Sequence, residues 1–341
     1  MNREAPTSSQ LVRDTKWWVV HHSQGTFLLF KNIYNEEEII VKIAISGGTG
    51  FIGKYLSTFF IQKGYTVYIL SRKKTAETSD PNLQYVQWTP DLQTFPLSSI
   101  DVVINLAGES INSRWTKKQK KVILNSRIQT TKGLIKQLQA LPTKPHTFIN
   151  ASAIGYYGTS ETESFTEQHV TPGNDFLANT VYSWEQEASK ARALGIRTTY
   201  ARFGVVLGPD GGALPKMLLP YQFYIGGTVG SGNQWLSWIH IDDVVRMIDF
   251  IIHKEEIDGP LNITAPDPIR MKEFGEIIAT IIKKPHWLPV PSFMLHALLG
   301  EMSILVLEGQ HVLPSKAIEY GYQYTFPSID HALQNILSHT M

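Results

Sequence analysis

Three glycines at a spacing of three stand between a predicted strand over 41–46 and a helical stretch that runs to Lys63. Gly47 would permit the turn, Gly50 would let the backbone approach a pyrophosphate, and Gly53 would let the helix pack close to the strand. A tight turn without a ligand would also use glycines, but the flanking strand and helix favour dinucleotide binding at the helix amino terminus. The predicted cofactor contacts here are Gly47, Thr49, Gly50, Phe51, Ile52 and Gly53.

The end of the second predicted strand indicates which dinucleotide binds. This strand covers 66–70 and is followed by Ser71 and Arg72. An NAD site places Asp or Glu here to bind the ribose 2′-hydroxyl, whereas a hydroxyl and a guanidinium suit a 2′-phosphate. We therefore predict that Ser71 and Arg72 bind NADP(H). The alternative is that Arg72 only begins a solvated loop.

Further predicted strands must position these residues. The run 101–109 predicts a fourth parallel strand that ends in a small-residue loop, and 147–158 predicts a fifth. A sixth covers 196–203, after a helix over 176–194 that Gly195 closes. This alternation predicts an α/β fold, a Rossmann-type doubly wound parallel sheet, in which ligands bind outside the carboxyl ends of the strands.

The glycine loop, the Asn-Leu-Ala-Gly segment at 105–108 and the strand that reaches Ser152 resemble those of extended short-chain dehydrogenase/reductases. The chain is similar in particular to an atypical, NAD(P)-dependent epimerase/dehydratase-like branch, the epimerase family proteins, with a small carboxy-terminal extra segment. The motifs that carry this resemblance are Ser126-Arg127, Trp184-Glu185, 204–208, 238–241, 307–314 and Gly321-Tyr322. The resemblance implies further cofactor contacts from Leu106, Ala107, Gly108, Arg127 and Val181, and a catalytic serine at Ser152.

The acid/base pair typical of the larger family is absent from this sequence. That pair is Tyr-x-x-x-Lys on one helix, where the lysine lowers the pKa of the tyrosine. No Tyr-x-x-x-Lys occurs in the chain, and Leu177 and Val181 stand at the two positions when the helix is aligned on Trp184-Glu185. If the protein is an enzyme, its acid must therefore come from another place.

Three residues near the end of the fifth strand are the candidate catalytic residues: Ser152, Tyr156 and Tyr157. Ser152 could donate or orient a hydrogen bond, and either phenol could reach a substrate. The alternative for both tyrosines is that they pack as loop aromatics with their hydroxyls bonded to the backbone, a common role for this residue type.

Composition argues against several classes of function. Lys+Arg 31 against Asp+Glu 30 leaves little net charge, so we expect no nucleic-acid partner, and the lysines in 117–121 predict a solvated helix face. The chain has 0 cysteines, which excludes disulfides and thiolate sites and fits a cytoplasmic location. The histidines lack ligand spacing, so no metal site is expected. No apolar run reaches the roughly 18 residues of a membrane span.

The chain is expected to have three parts. Residues 1–40 form an extension that we interpret as a translated leader or a disordered segment, because Glu36-Glu37-Glu38 could be encoded by a ribosome-binding site just before a start at Val41. Mass spectrometry of the native amino terminus tests this hypothesis. Residues 41–265 form the NADP-binding domain with a loop insertion near 209–235, and 266–341 form a small helical segment that packs on the cleft.

Two local predictions concern the second half of the chain. Asp242 is expected to cap a helix over 244–252, with His240 as a structural histidine. The apolar stretch from Phe293 to Leu307 predicts a helix buried against the core or against a second subunit, so a homodimer is one expectation.

The sequence predicts an NADP(H)-dependent oxidoreductase or epimerase-like enzyme that acts on a small polar molecule. The second hypothesis is an NADP(H)-binding sensor or regulatory protein without turnover, which the missing Tyr and Lys favour. A structural protein with a vestigial fold is a third, and the intact phosphate loop argues against it. Neither the substrate nor the direction of the reaction follows from these motifs.

Overall fold

The computed structural model describes residues 17–21, 27–31, 41–73 and 78–338. Contacts divide the chain into two compact units, 1–40 and 41–341. In the first unit, β1 (Trp17–His21) pairs antiparallel with β2 (Phe27–Lys31). Residues 36–38, on which the leader interpretation depends, lie outside the described residues.

The second unit alternates strands and helices. Its strands are β3 (Lys42–Ser46), β4 (Thr66–Ser71), β5 (Leu83–Gln87), β6 (Val102–Asn105), β7 (Thr147–Ala153), β8 (Ser164–Phe165), β9 (Arg197–Phe203), β10 (Val205–Leu207), β11 (Trp235–Leu236), β12 (Trp238–His240), β13 (Gly259–Ile263), β14 (Ile269–Arg270) and β15 (His311–Val312). Its α-helices are α1 (Phe51–Gln62), α2 (Lys117–Ala140), α3 (Phe176–Ser189), α4 (Leu214–Gln222), α5 (Ile241–His253), α6 (Met271–Ile282), α7 (Ser292–Leu299), α8 (Ile304–Leu307), α9 (Ser315–Glu319) and α10 (Ile329–Ser338). Short 3₁₀ helices cover Ile154–Tyr157, Lys190–Leu194 and Gly300–Ser303.

Seven strands form a parallel sheet in the order β5-β4-β3-β6-β7-β9-β13. From β3 the chain first adds β4 and β5 on one side and then returns to add β6, β7, β9 and β13 on the other. The crevice for a ligand therefore lies at the carboxyl ends of β3 and β6, where the strand order reverses. The predicted Rossmann-type doubly wound sheet is confirmed.

Helices cover both faces of this sheet, because its strands are apolar on both sides. Ile43 and Ile45 pack on one face with α1 and α5, and Ala44 packs on the other with side chains of α2 and α3. Ile43, Ala44 and Ile45 of β3 are all fully buried. Burying side chains on alternating faces is what the β-branched run at 41–46 predicts for a central parallel strand.

The residue that caps α5 differs from the prediction. The helix begins at Ile241, and the His240 side chain accepts a hydrogen bond from the backbone N–H of Asp242. The prediction that Asp242 is the cap was wrong, because the helix starts earlier than 244 and places Asp242 in its first turn. A carboxylate in that turn still interacts favourably with the helix dipole.

The predicted long helix over 293–307 is divided in the structure. α7 ends at Leu299, the next residue is Gly300 with a φ of +61° that favours glycine, and a 3₁₀ turn leads into α8. No residue of α7 is buried, and Phe293 and Leu298 are each 72% exposed. Of the two alternatives for this stretch, burial against the core is therefore wrong for α7, and burial against a second subunit stays a prediction. No helix in the described part of the chain is long and apolar enough to cross a membrane.

Candidate functional site

The glycine loop sits at the reversal point of the sheet and is packed too tightly for side chains. Gly47 has a φ of +75°, and a Cβ there would lie 2.8 Å from the Leu106 carbonyl carbon and 2.9 Å from the Ala107 nitrogen. A Cβ on Gly53 would lie 2.5 Å from the Gly48 Cα. The loops after β3 and β6 thus touch through backbone, so a ligand in the crevice can approach main-chain atoms of both.

The amino terminus of α1 offers unused N–H donors to that crevice. The Gly50 N–H donates to the Gly47 carbonyl, and the first helical bond runs from the Lys54 N–H to the Gly50 carbonyl, both at 3.0 Å. The amides of 51–53 precede this bond and have no acceptor within the helix. Gly50 supplies no side-chain cap. Such an end binds phosphate groups, because the donors and the helix dipole favour an anion.

The side chains of the predicted loop contacts differ in their access to the crevice. Thr49 is exposed and Ile52 is half-buried. The Phe51 ring packs against the loop that contains Gly208 and Gly211. A Cβ on Gly211 would lie 2.5 Å from the ring, and one on Gly208 would lie 2.7 Å from it. Any contact from Phe51 to a cofactor would therefore come from its backbone amide.

Ser71 and Arg72 lie beside the glycine loop. Strand β4 pairs with β3 so that Leu70 is level with Ser46, which places Ser71 next to Gly47 in the register. Ser71 is half-buried at the strand end and the Arg72 side chain is exposed. The end of β4 thus places a hydroxyl and a guanidinium beside the glycine loop.

A fully buried polar network holds the carboxyl ends of the central strands together. The Ser46 hydroxyl donates to Asn105 Oδ1 (2.6 Å), and Asn105 Nδ2 donates to Thr131 Oγ1 (2.9 Å) and Asn150 Oδ1 (2.7 Å). Trp184 Nε1 also donates to Thr131 Oγ1, at 2.9 Å. Because these polar atoms have partners away from water, the network joins β3, β6 and β7 to α2 and α3 without a large desolvation cost.

Arg127 lies against the loop after β6. Its Nη1 donates to the carbonyls of Glu109 and Ile123, both at 3.0 Å, and its guanidinium lies 5.1 Å from the Trp184 ring centroid. A Cβ on Gly108 would lie 3.1 Å from the Arg127 Cζ. Burial lowers the pKa of Arg127 to about 10, so it stays charged at neutral pH. The residue thus supports the loop that the resemblance assigns to the cofactor.

Ser152 belongs to a second buried network. Its hydroxyl donates to Glu185 Oε1 at 2.5 Å, and Arg202 forms a bidentate ion pair with the same carboxylate through Nε and Nη2, both at 2.8 Å. Ser152, Glu185 and Arg202 are each at most 5% exposed. Although burial opposes it, Glu185 raises the pKa of Arg202. The Ser152 proton is therefore engaged by Glu185, which leaves its oxygen able to accept.

The two candidate tyrosines have different partners. The Tyr156 hydroxyl donates to the Val170 carbonyl (2.6 Å), a backbone bond of the kind that the packing alternative describes. The Tyr157 hydroxyl donates to Asn262 Oδ1 (2.8 Å) and accepts from Arg202 Nη1 (3.0 Å). Burial raises the pKa of Tyr157 to about 12, although Arg202 opposes the rise. Tyr157 is thus a protonated phenol with a cation beside its oxygen.

A cavity of about 490 Å³ adjoins Tyr157. Its lining is mostly polar and comes from three chain segments: Tyr157, Gly158, Thr159, Pro172, Gly173, Asn174, Asp175, Ile304 and Glu308. Asp175 Oδ1 caps α3 by accepting the N–H groups of Leu177 (2.7 Å) and Ala178 (2.9 Å). Tyr157 alone among the predicted catalytic residues lines this cavity.

The positions of the missing Tyr and Lys lie on α3 near this region. Leu177 is half-buried, and a Cβ on Gly155 would lie 3.5 Å from its side chain. Val181 is buried in an apolar cluster with Phe165 and Val312. Neither side chain can exchange a proton, so α3 contributes no acid or base at these two positions.

Reasoning from the sequence did not assign a role to Glu185, Arg202 or Asn262. One signal was available for each charged residue. Arg202 lies in a strand otherwise free of charge after Arg197, and Glu185 lies one helical turn after the buried Val181. Charged side chains at buried positions require partners, which points to an ion pair. Asn262 carried no comparable signal.

In the described residues, no group of three His, Asp or Glu side chains could hold a metal ion.

Comparisons with known proteins identify relatives across nearly all of the second unit. The model of the NAD dependent epimerase/dehydratase family matches residues 43–264, and a domain of unknown function, DUF1731, matches 290–336. The epimerase family protein YfhF of Bacillus subtilis is 49% identical over 300 residues, which cover 87% of this chain and 98% of that protein. A Staphylococcus epidermidis epimerase family protein, SERP0438, is 41% identical over 86% of this chain and 98% of its own length.

Solved structures agree with this assignment. The human epimerase family protein SDR39U1, solved with NADPH, superposes with a TM-score of 0.78 at 34% identity, covering 87% of this chain and 99% of that one. A UDP-glucose 4-epimerase from Thermotoga maritima has a TM-score of 0.71 at 18% identity over 88% of this chain and 98% of that one, a likeness of fold. The chain therefore belongs to the NAD dependent epimerase/dehydratase family, in the atypical short-chain dehydrogenase/reductase branch whose members are named epimerase family proteins.

Proposed function

We propose that this protein is an NADP(H)-binding oxidoreductase or epimerase-like enzyme that acts on a small polar molecule. The observation that carries the proposal is the crevice at β3 and β6, where the tight glycine loop, the unused N–H groups of α1 and the Ser71-Arg72 end of β4 lie side by side. The pyrophosphate would bind at α1 and the 2′-phosphate beside Arg72. The human relative solved with NADPH supports this choice of cofactor.

We place the protein in the cytoplasm, because a chain with 0 cysteines has no disulfide that needs an oxidising compartment.

The substrate would bind in the cavity beside Tyr157. Its volume of about 490 Å³ suits a small molecule, and its polar lining can bond to hydroxyl or carbonyl groups. Two carboxylates, Asp175 and Glu308, belong to that lining, and Glu308 accepts a hydrogen bond from the Thr159 hydroxyl at 2.5 Å. These groups favour a substrate that offers hydrogen-bond donors.

Tyr157 would be the acid of this enzyme. NADP(H), when bound, supplies or accepts a hydride. In this proposal the Tyr157 hydroxyl would give its proton to a substrate oxygen, and Arg202, which donates to that hydroxyl, would stabilise the phenolate that remains. With a pKa of about 12 the phenol is protonated at neutral pH, which suits the direction of carbonyl reduction. Ser152 and Glu185 would position Arg202 for this role.

A second candidate function is an NADP(H)-binding sensor without turnover. One observation favours it: Leu177 and Val181 stand where the acid and its lysine are expected, while the hydroxyls of Ser152 and Tyr156 are held by internal bonds. A sensor would bind the cofactor and change a partner surface, so it needs no proton donor at the cavity. The polar cavity beside Tyr157 favours the enzyme.

The test is a fluorescence titration of the purified protein with NADPH and NADH, followed by a panel of carbonyl substrates on the same sample. The proposal expects tight NADPH binding and weak NADH binding. An oxidoreductase would oxidise the cofactor with at least one carbonyl compound, whereas an epimerase-like enzyme would change the compound without net oxidation, because the hydride returns to the substrate. NADPH binding without turnover across the panel would support the sensor. Failure to bind either nucleotide would overturn both candidate functions.

A further inference from the structure

Exposed apolar side chains are concentrated on two chain segments, 219–225 and 287–298. Of the fifteen large hydrophobic residues that are exposed in the described chain, nine lie on these segments and six are scattered. Phe223, Trp287 and Leu298 are 67%, 63% and 72% exposed. Isolated apolar residues on a surface are ordinary, whereas a concentration of this kind marks an interaction site. We call the two segments together the apolar face.

Hydrogen bonds join the two segments into one surface. The Trp287 indole N–H donates to the Tyr224 carbonyl (2.9 Å), and the backbone N–H groups of Trp287 and Leu288 donate to the Gly226 carbonyl (2.9 and 3.1 Å). α7 begins at Ser292, soon after this contact, and none of its residues is buried. The two segments are therefore neighbours at Tyr224 and Trp287, and α7 begins five residues after Trp287.

The apolar face carries almost no charge. No Asp, Glu, Lys or Arg occurs in 217–241 or in 285–300. One cation in contact with it is Lys284, whose Nζ lies 3.6 Å from the Tyr224 ring centroid. Two copies of such a surface can pack against each other across a two-fold axis, because this pairing brings no like charges together. It offers nothing to recognise a strongly charged partner.

The area of the apolar face is sufficient for a stable dimer. Its nine large side chains are between 39% and 72% exposed. With about 150–250 Å² for each aromatic ring, they offer on the order of 1,000 Å². A stable interface buries about 800 Å² on each partner. α7 in particular has no core of its own to pack on, so a partner would bury the helix.

We propose that the apolar face is the interface of a homodimer, in which α7 and the 219–225 segment of one subunit pack on the same elements of a second copy. The interface is isologous, so a substitution in one chain appears twice in the contact. The proposal does not depend on cofactor or substrate, and it holds whether the protein is an enzyme or a sensor.

Sedimentation velocity across the micromolar range tests the proposal. The wild type is expected to be a dimer, and Phe293→Glu with Leu298→Glu is expected to weaken self-association by roughly 30-fold or more, because two buried anchors become like charges. Val170→Glu is the matched control, since Val170 is 79% exposed and lies outside the apolar face. Far-UV circular dichroism and melting curves check that each variant is folded. A monomeric wild type, or a double variant that stays dimeric, overturns the proposal.

Crosslinking gives an independent readout, because the chain has 0 cysteines. A single thiol from Leu298→Cys should form a covalent dimer with a short bis-maleimide, and Val170→Cys should not. Equal crosslinking of the two variants contradicts the proposed interface. A monomeric protein that floats with phosphatidylcholine vesicles would also contradict the proposed interface. That result would assign the apolar face to a membrane surface.

Discussion

Tyr157 joins a buried network of polar side chains to the lining of the candidate substrate cavity. The hydrogen-bond network runs from Ser152 through Glu185 and Arg202 to Tyr157 and ends at Asn262. Each of these residues is at most 5% exposed. Removing one partner from such a network leaves buried polar atoms without a bond, so the residue has a structural effect as well as a chemical one.

Tyr157→Phe is expected to destabilise the protein by ~1–3 kcal/mol, because Arg202 Nη1 and Asn262 Oδ1 each lose a buried bond. Tyr156→Phe is the matched variant and should cost about 1 kcal/mol, since it removes one bond to a backbone carbonyl. Denaturant unfolding measures both. Once a substrate is known, turnover should fall in Tyr157→Phe and persist in Tyr156→Phe. Full turnover in Tyr157→Phe would exclude it as the acid.

Arg72→Asp is expected to weaken NADPH binding by roughly tenfold or more and to improve NADH binding, because a carboxylate repels a 2′-phosphate and accepts from a 2′-hydroxyl. Arg72 is exposed, so the fold should be unaffected. Titration of NADPH and of NADH into the wild type and the variant gives the NADPH/NADH affinity ratio of each protein. Arg246→Asp, at another exposed arginine that lies on α5, is the control. An unchanged NADPH/NADH ratio in Arg72→Asp would show that Arg72 only begins a loop.

At the scale of elements, α1 and the glycine loop act as one unit. The helix packs directly on the loop at Gly53, and the loop touches the backbone after β6 at Gly47. Alanine is the better residue in a helix interior, by about 1 kcal/mol, so a glycine retained there has a packing reason. The close contact between Gly53 and Gly48 is that reason.

Gly53→Ala is expected to abolish detectable NADPH binding, since its Cβ would lie 2.5 Å from the Gly48 Cα and displace the phosphate loop. Gly64→Ala is the control at the other end of the same helix. Gly64 has a φ of +82°, and a Cβ there would meet nothing within 4 Å. The control should lose stability through backbone strain and keep its affinity for NADPH. Comparable affinity in the two variants would contradict the role of Gly53.

At the scale of the whole second unit, buried polar groups on β12, α5 and β13 hold the carboxy-terminal residues. Asp243 accepts the backbone N–H groups of Thr325 and Phe326, both at 2.8 Å, and the Phe326 ring stacks on His240 at 3.9 Å between centroids. Asn262 Nδ2 donates to the Leu313 carbonyl at 2.9 Å. The segment beyond the dinucleotide-binding strands is thus part of the same folded unit as the site.

Stability is expected to fall as the pH drops below about 6.5. Burial lowers the pKa of the buried His240 and of the half-buried His311 in the folded protein. Below the unfolded pKa, the unfolded chain takes up protons that the folded chain does not, so each histidine costs up to ~1.4 kcal/mol per pH unit until its folded pKa is reached. Glu167, whose pKa burial raises, acts in the opposite sense at lower pH.

His240→Asn isolates one of these contributions, because the Asn oxygen can still cap α5 while the titrating ring is removed. Melting temperatures at pH 7.5 and 5.5 should differ less in the variant than in the wild type. Parallel changes in the two proteins would mean that His240 does not contribute to the pH dependence.

Local features of the sequence determined the frame of the site. The glycine loop, the Ser71-Arg72 strand end and the Gly195 helix end lie where they were predicted, because glycine conformation and the periods of strands and helices are properties of short segments. The predicted strand 196–203 is observed as Arg197–Phe203. The same local reasoning failed at α5, where a histidine replaced the expected carboxylate as the cap.

Only the tertiary structure decided which side chains meet in the site. Ser152 and Glu185 are 33 residues apart, Arg202 is 17 residues beyond Glu185, and Asn262 is 105 residues beyond Tyr157. Their contacts depend on the order and register of β7, β9 and β13, which no short segment encodes. The exposure of α7 was likewise decided by the surroundings, because an apolar helix has the same sequence pattern whether a core, a partner or solvent lies against it.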